Sequence, residues 1–201
     1  MDATFVFALS DSPMRGLYLI TNDDPIELLL AKLEGAIATY EVAVLQYRRK
    51  NVAKENQAYE IEYMKNMCNQ YKVPFVINDD LETAVKYGVG VHLGQDDGSI
   101  VDAKARLPKN VLIGRSCNNS IELAEQAIAD GANYVAFGAI YATDTKPEAG
   151  NIGLDTLKKA LRPFGQTCPL SVIGFNLHFR SVINRQAFNI CEIRWWPNIL
   201  T

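Results

Sequence analysis

The chain has 201 residues and a formal net charge of −3, with 20 basic and 23 acidic side chains. This length suffices for one domain with a substantial core, and the balance of charge gives no basic surface for nucleic acid. No apolar run approaches the roughly 18 residues of a membrane span, and the 4 cysteines lack CxxC or metal-ligand spacing, which suits a reducing cytoplasm.

Residues 1–13 are predicted to be a disordered extension of the domain. They carry Asp2 where a signal peptide would have Lys or Arg, and Asp11-Ser12-Pro13 breaks their apolar run before Met14 begins the first clear strand. Because termini are generally mobile, we favour an unstructured extension over a docked strand.

Apolar strands and helical patterns alternate in seven steps from residue 14 to residue 174. The first strand is predicted at 16–21, and Asp24-Pro25 should open the first helix with Asp24 as its N-cap. Further strands are predicted at 42–46, 74–77, 89–93, 111–114, 134–138 and 169–174, and helices at 53–71, 81–87, 101–107, from the Asn119-Ser120 cap to 130, and at 154–161. Apolar strands without alternation are buried on both faces, which predicts a parallel α/β fold. Seven regular steps, with no GxGxxG after the first strand, favour a (β/α)8 TIM barrel over an open doubly wound sheet.

The regular pattern stops at Gly174. We therefore assign residues 14–174 to a barrel domain and residues 175–201 to an atypical tail, which replaces the end of strand seven, helix seven and strand eight. Only Ile190–Ile193 could form a short last strand. A seven-stranded barrel has open edges, so we expect a marginally stable or aggregation-prone chain.

Polar motifs follow four of the predicted strands, where a TIM barrel places its active site. Gln46, Arg48 and Lys50 end the second strand on one face, because side chains alternate along a strand, and Arg49 adds a third charge. The loop Thr143-Asp144-Thr145-Lys146 follows the sixth strand. Such fixed cations suit phosphate oxygens, and the alternative for the second-strand motif is a solvated strand end.

The two middle motifs bring carboxylates. Asn78-Asp79 ends the third strand, and Asp97 closes the motif His92-Leu93-Gly94-Gln95-Asp96-Asp97 after the fourth. Mg²⁺ takes one or two protein carboxylates plus substrate phosphates, so Asp79 and Asp97 are candidate metal ligands. Asp80 is expected to cap the next helix, and the alternative assigns Asn78 and Asp79 to capping as well.

Two further polar side chains lie at strand ends. His92 belongs to a buried strand, and we favour a hydrogen-bonded core histidine over a catalytic base. Ser116, after the fifth strand, can present its hydroxyl to a phosphate.

At these motifs the chain resembles the thiamine-phosphate synthase family of (β/α)8 barrel enzymes. QxRxK, IND, HxGQxD and TxTK occur in that order, and the resemblance covers about residues 14–174. It implies a transferase of thiamine biosynthesis that joins hydroxymethylpyrimidine diphosphate to hydroxyethylthiazole phosphate and releases diphosphate, with Mg²⁺ as cofactor. It also implies small phosphorylated partners, with no nucleic acid or membrane partner, and a cytoplasmic location, and it leaves a homo-oligomer open.

The resemblance also implies roles for individual residues. The pyrimidine diphosphate would be bound by Gln46, Arg48, Lys50, Asn78, Ser116 and Lys146. The thiazole phosphate would be bound by Thr143, Asp144, Thr145 and Gly174. Mg²⁺ would be held by Asp79 and Asp97. No residue would act as a general acid or base, because ionising the C–O bond gives a resonance-stabilised cation.

The carboxyl end departs from the family pattern. The family continues strand seven as IGGI and later has a GAD turn and a last strand near VIS, whereas here Gly174 is followed by Phe175. We favour a reading-frame change over true divergence; it would damage the thiazole-phosphate half of the site. Two other functions stay open: an impaired remnant that binds only the pyrimidine diphosphate, and a thiazole tautomerase-like isomerase, which would need neither the carboxylates nor the QxRxK cations.

Overall fold

Eight parallel strands form a closed barrel in chain order, as the sequence predicts. The computed structural model of the chain describes Met14, residues 16–138, and the backbone of residues 170–173 and 190–195. The strands are β1 Gly16–Ile20, β2 Val42–Tyr47, β3 Phe75–Asn78, β4 Gly90–Leu93, β5 Ile113–Asn118, β6 Tyr134–Phe137, β7 Leu170–Ile173 and β8 Ile190–Trp195.

Helices connect the first six strands. They are α1 Ile26–Thr39, α2 Lys54–Tyr71, α3 Leu81–Tyr87, α4 Ile100–Arg106 and α5 Ile121–Ala129. Among the residues described, no helix combines the length and the apolar character that a bilayer crossing requires.

Side chains of β1, β2 and β3 are divided between two separate apolar clusters. Leu19, Leu45 and Ile77 pack with helical residues in the outer cluster, which lies between the strands and the helices. Tyr18 of β1 and Tyr134 of β6 belong to the inner cluster, and their rings are 5.8 Å apart, so this cluster fills the barrel interior. By the same alternation, the polar residues at the strand ends that belong to the inward set are Gln46, Asn78, His92 and Ser116.

Three helix starts test the capping predictions. The side chain of Asp80 accepts a hydrogen bond of 2.9 Å from the Thr83 backbone N–H, and that of Ser120 accepts one of 3.1 Å from Leu123, so both predicted caps are confirmed. The predicted Asp24 cap is wrong. Pro25 occupies the N-cap position of α1, and no side chain forms a capping hydrogen bond there. The Asp24 carboxylate instead accepts a hydrogen bond from Lys32 Nζ at 2.9 Å, because the lysine offers it a charged partner.

The short last strand that the sequence left open at Ile190–Ile193 is present and extends to Trp195 as β8. The strand β8 pairs in parallel with β7 and with β1, and Ile193 is opposite Ile173 on one side and Tyr18 on the other. Without β8, the edges of β1 and β7 would leave a row of unpaired backbone groups, and pairing both closes the sheet. Residues 1–13, the helix predicted at 154–161 and the tail up to residue 189 lie outside the described residues.

Candidate active site

The carboxyl ends of β2 and β3 open onto a shared cavity of about 210 Å³. Its lining includes four of the predicted site residues, which are Arg48, Lys50, Asn78 and Asp79. Arg48 is half-buried, with its backbone N–H bonded to the Thr21 hydroxyl at 2.7 Å, whereas Lys50 is exposed. Fixed positive charge and an amide therefore converge beside a carboxylate.

Arg49 has a structural role that the sequence analysis did not identify. It is buried on the outward side of the chain, where its guanidinium forms a bidentate pair with Glu60 of α2 at 2.9 and 3.0 Å. Its remaining nitrogen donates to the carbonyls of Asn22 and Asp24 at 2.7 and 2.6 Å. This pairing neutralises the charge of Arg49, so the cations of the cavity lining that remain to bind an anion are Arg48, Lys50 and the exposed Lys54 of α2.

Asp79 lies in a backbone conformation that residues other than glycine seldom adopt. Its φ is 63°, in the left-handed region. Two hydrogen bonds hold it there: its N–H donates to the His92 carbonyl at 2.8 Å, and the Asn78 amide donates to its carboxylate at 2.6 Å. Strain of this kind persists where the surroundings fix it, and it often marks a functional position.

The loop after β4 brings Asp97 to Asp79. The Gly94 N–H donates to Asp97 Oδ2 at 3.0 Å, and the Asp97 carboxyl group lies close enough to that of Asp79 to raise its pKa. A Cβ at residue 94 would overlap the Asp97 carboxylate and would lie 3.6 Å from Asp79 Oδ1. The glycine of the HxGQxD motif therefore makes room for the approach of the two acids.

Arg115 of β5 holds the same loop from the other side. Its guanidinium donates to the carbonyls of Gly98 at 2.7 Å and of Gln95 at 3.1 Å. Gln95 and Gly98 lie on either side of Asp97 in the sequence. The two hydrogen bonds from Arg115 therefore restrain the segment that carries the Asp97 carboxylate.

The paired carboxylates fit a magnesium ion. Burial raises the pKa of Asp79 above its usual range, and the adjacent Asp97 raises it further, while Asn78 and Lys50 act in the opposite direction. Two facing carboxylates repel each other unless a proton or a cation lies between them. Among the described residues, no group of three or more His, Cys, Asp or Glu side chains could hold a metal ion. Two hard oxygen donors suit Mg²⁺, which leaves most of its ligand positions to phosphate and water.

His92 is the hydrogen-bonded core histidine that we favoured. It is buried, and its ring nitrogens lie 2.9 Å from Tyr134 Oη and 2.9 Å from Ser116 Oγ. Tyr134 was not among the predicted site residues, although a tyrosine in an apolar strand has a hydroxyl that needs a hydrogen-bond partner when it is buried. Gln46 is buried on the inward side of β2, two residues before Arg48.

The other predicted site residues lie outside the described part of the chain. They are Thr143, Asp144, Thr145, Lys146 and Gly174. Their contacts with the diphosphate and the thiazole phosphate therefore stay predictions.

Solved structures with the same architecture include a close match and two distant ones. The thiamine phosphate pyrophosphorylase from Pyrococcus furiosus superposes with a TM-score of 0.71 at 28% identity, over 89% of this chain and 84% of that one. A putative fructose-1,6-biphosphate aldolase from Coccidioides immitis gives 0.59 at 10% identity, over 89% and 75% of the two chains. The YdjI aldolase from Escherichia coli K12 gives 0.57 at 12% identity, over 88% and 74%. The likeness to the two aldolases shows the barrel fold alone.

The match to a protein family includes part of the tail (residues 175–201). The family profile described as thiamine monophosphate synthase matches residues 17–191, and so continues past Gly174, where the motif resemblance stops. A match over most of the chain, together with the Pyrococcus furiosus structure, assigns the family. The chain belongs to the thiamine monophosphate synthase family.

Proposed function

We propose that the chain is a Mg²⁺-dependent thiamine-phosphate synthase. It would couple hydroxymethylpyrimidine diphosphate with hydroxyethylthiazole phosphate to give thiamine monophosphate and diphosphate. One observation carries the proposal: Arg48, Lys50, Asn78 and Asp79 line one cavity at the carboxyl end of the barrel, and Asp97 adjoins Asp79.

The cations of this cavity suit the diphosphate. Arg48 and Lys50 come from the same loop, and the half-buried guanidinium is less screened by water than a fully exposed one. Charge-assisted hydrogen bonds to phosphate oxygens are the strong ones, and an arginine fork can donate two in parallel. Both groups are in place before the reaction, so they stabilise the negative charge that the leaving diphosphate gains.

Asp79 and Asp97 would hold the magnesium ion. When bound, Mg²⁺ neutralises charge on the diphosphate and so makes it a better leaving group. The left-handed backbone of Asp79 and the Gly94 contact of Asp97 set the two carboxylates together in advance. Asn78 bonds to the Asp79 carboxylate and keeps it oriented.

The proposed reaction moves no proton on the protein. The bond between the pyrimidine methylene carbon and the diphosphate oxygen breaks, and its electron pair leaves with the diphosphate. The lone pair of the thiazole nitrogen then forms the new C–N bond to that carbon. The barrel would mainly hold the two substrates at reacting distance, and the predicted thiazole-phosphate residues Thr143, Asp144, Thr145 and Gly174 would position the second one.

An assay with both substrates tests this function. We expect thiamine monophosphate to form with Mg²⁺ and not with excess EDTA, and we expect Asp79→Asn to lose this activity. Asp102→Asn, a change of an exposed carboxylate on α4, is the matched control and should retain it. Mg²⁺-dependent binding of the pyrimidine diphosphate without turnover would instead identify the impaired remnant. Turnover that is equal with and without Mg²⁺ would contradict the proposal.

A further inference from the structure

Four hydrogen-bonded side chains connect the barrel interior to Ser116. Tyr18 Oη lies 2.7 Å from Tyr134 Oη, which lies 2.9 Å from His92 Nδ1, and His92 Nε2 lies 2.9 Å from Ser116 Oγ. The two tyrosines and the histidine are buried, whereas Ser116 is half-buried. The chain joins β1, β6, β4 and β5, and it ends at a side chain that the sequence places in the diphosphate site.

Packing fixes the rings of this chain. The Tyr134 ring stacks on His92 with centroids 5.5 Å apart and planes 24° apart, and Tyr18 meets His92 edge-on at 6.3 Å. Gly114 leaves the space for Tyr134, because a Cβ at residue 114 would overlap its ring. The imidazole therefore keeps Nδ1 near Tyr134 Oη and Nε2 near Ser116 Oγ.

The hydrogen bonds of such a chain can run in two directions. In the first, Tyr134 donates to His92 Nδ1 and the Nε2 proton is donated to Ser116 Oγ, which leaves the serine proton available to another acceptor. In the second, Ser116 donates to Nε2, and the serine has no proton left for an anion. A phosphate oxygen at neutral pH acts mainly as an acceptor, so only the first direction lets Ser116 donate to it.

The chemistry of the two rings favours the first direction. A phenol ionises near pH 10 and is a good donor, whereas the bare nitrogen of a neutral imidazole is the better acceptor of the pair. We therefore expect Tyr134 to donate to Nδ1 and His92 to carry its proton on Nε2, an arrangement in which the Tyr134 oxygen can accept from Tyr18.

We propose that Tyr134 and His92 are positioning residues that keep the Ser116 hydroxyl proton free for an oxygen of the substrate diphosphate. This inference rests on the proposed function for the identity of the anion. The tyrosine sets the tautomer of the histidine, and the histidine occupies a lone pair of the serine oxygen. Neither ring needs to touch the substrate.

The tautomer of His92 can be measured directly by NMR spectroscopy. The sequence holds 2 histidines, so a protein labelled with ¹⁵N in its imidazole rings gives a simple spectrum, and the signals lost in His92→Gln belong to His92. We expect a protonated Nε2 and a bare Nδ1 in the free full-length chain and in the presence of Mg²⁺ and inorganic diphosphate. A proton on Nδ1 with a bare Nε2 would overturn the proposal whatever the substrate.

Binding of inorganic diphosphate with Mg²⁺, measured by calorimetry, tests the positioning role. Removing the Ser116 hydroxyl in Ser116→Ala should weaken binding on the order of tenfold, the effect of one hydrogen bond to a charged group. Tyr134→Phe keeps the ring and should weaken binding by roughly threefold, because a neutral hydrogen bond contributes less. Tyr63→Phe is the matched control, since it removes an exposed hydroxyl that bonds to Glu34 on α1, and it should not change binding.

Double variants separate positioning from general damage to the fold. Tyr134→Phe added to Ser116→Ala should cause no further loss, because the tyrosine acts through the serine. His92→Gln, whose amide can still donate to Ser116, should retain more affinity than His92→Leu. Additive losses in the double variant would overturn the positioning role while the proposed function stands. A wild-type chain that binds no diphosphate and makes no product would overturn both.

Discussion

Three consecutive basic residues after β2 have three different environments. Arg48 is half-buried at the cavity, Arg49 is buried against Glu60, and Lys50 is exposed. The differences follow from the alternation of side chains, because Arg48 continues the inward set of β2 and Arg49 the outward set. Two adjacent residues therefore differ in role: Arg48 can bind substrate, whereas Arg49 holds α2 through Glu60.

At this scale we expect Arg48→Ala to weaken binding of the pyrimidine diphosphate by about 1.5–3 kcal/mol, the range for hydrogen bonds to charged groups. Calorimetry with Mg²⁺ present measures it. Arg106→Ala is the control, because Arg106 pairs with Glu82 and Asp102 on the helix surface. An equal effect of the two changes would mean that Arg48 acts only through the overall charge.

The Arg49–Glu60 pair should contribute to stability instead. Both side chains are nearly inaccessible, at 5% and 6% exposure, and Glu60 also accepts from the Tyr47 hydroxyl at 2.7 Å. Removing one member leaves a buried charge without its partner, so Glu60→Ala should reduce the free energy of unfolding by about 3–5 kcal/mol.

Urea denaturation measures that loss. Glu62→Ala, which removes a half-exposed carboxylate 3.6 Å from Lys65 on the same helix, is the control, and it should change stability by less than about 0.5 kcal/mol. Similar losses in the two variants would contradict the structural role of Glu60.

Residue identity and spacing predicted four of the side chains that line the cavity. Arg48, Lys50, Asn78 and Asp79 meet there because parallel strands end at one edge. The sequence could not assign Arg49, since its partner Glu60 lies on another element. It also gave no sign of the left-handed backbone of Asp79, which depends on the contact with the His92 carbonyl.

At the scale of elements, β3 passes into α3 through two acids that have separate tasks. Asp79 faces Asp97, whereas Asp80 caps α3 through the backbone and hydroxyl of Thr83. The alternative in which both acids only cap the helix does not account for the contact of Asp79 with Asp97. Asp79 is therefore the candidate metal ligand, whereas the adjacent Asp80 stabilises the start of α3.

Substituting Asp80 should separate these tasks. We expect Asp80→Ala to cost about 1 kcal/mol of stability, the usual effect of losing an N-cap, and to leave the Mg²⁺ dependence of activity unchanged. Asp80→Ser, which can still cap, should recover most of that stability. Thermal unfolding and the two-substrate assay measure both quantities, and a loss of Mg²⁺ dependence in Asp80→Ser would refute the division.

Element starts and ends were predictable where a local side chain decides them. Asp80 and Ser120 cap their helices within three residues of chain, and the pattern of polar and apolar residues is sufficient to find them. Asp24 failed because a tertiary partner, Lys32, competes for its carboxylate. The strand β5 extends to Asn118, four residues past its predicted end, because β6 offers pairing as far as Phe137.

For the whole molecule, the decisive feature is closure by β8. The strand pairs with both of its neighbours, so the barrel has no open edge, and the expectation of instability loses its physical basis. The sequence indicated only a possible short strand at Ile190–Ile193, and it could not show that this segment pairs with both β7 and β1. This pairing is decided by the two edges that the rest of the barrel presents.

Breaking β8 should therefore unfold the barrel as a unit. Ile193→Pro removes a backbone N–H from a strand that is paired on both sides, and it should cost at least about 1–3 kcal/mol because a carbonyl of the sheet loses its donor. Ile193→Val keeps the backbone donor and is the control. Thermal unfolding followed by circular dichroism measures the difference, and equal melting temperatures for the two variants would show that closure by β8 contributes little.

The two sets of alternating side chains have a consequence for how such a barrel can change. At the strand ends the inward set carries polar side chains such as Asn78, which lines the cavity, whereas outward residues such as Leu19 and Leu45 pack against the helices. Mutations that alter ligand preference and mutations that alter heat tolerance therefore fall on interleaved positions of the same short segments. An engineered library restricted to the inward positions 46, 78 and 116 would explore new substrates while the packing of the strands against the helices stays constant.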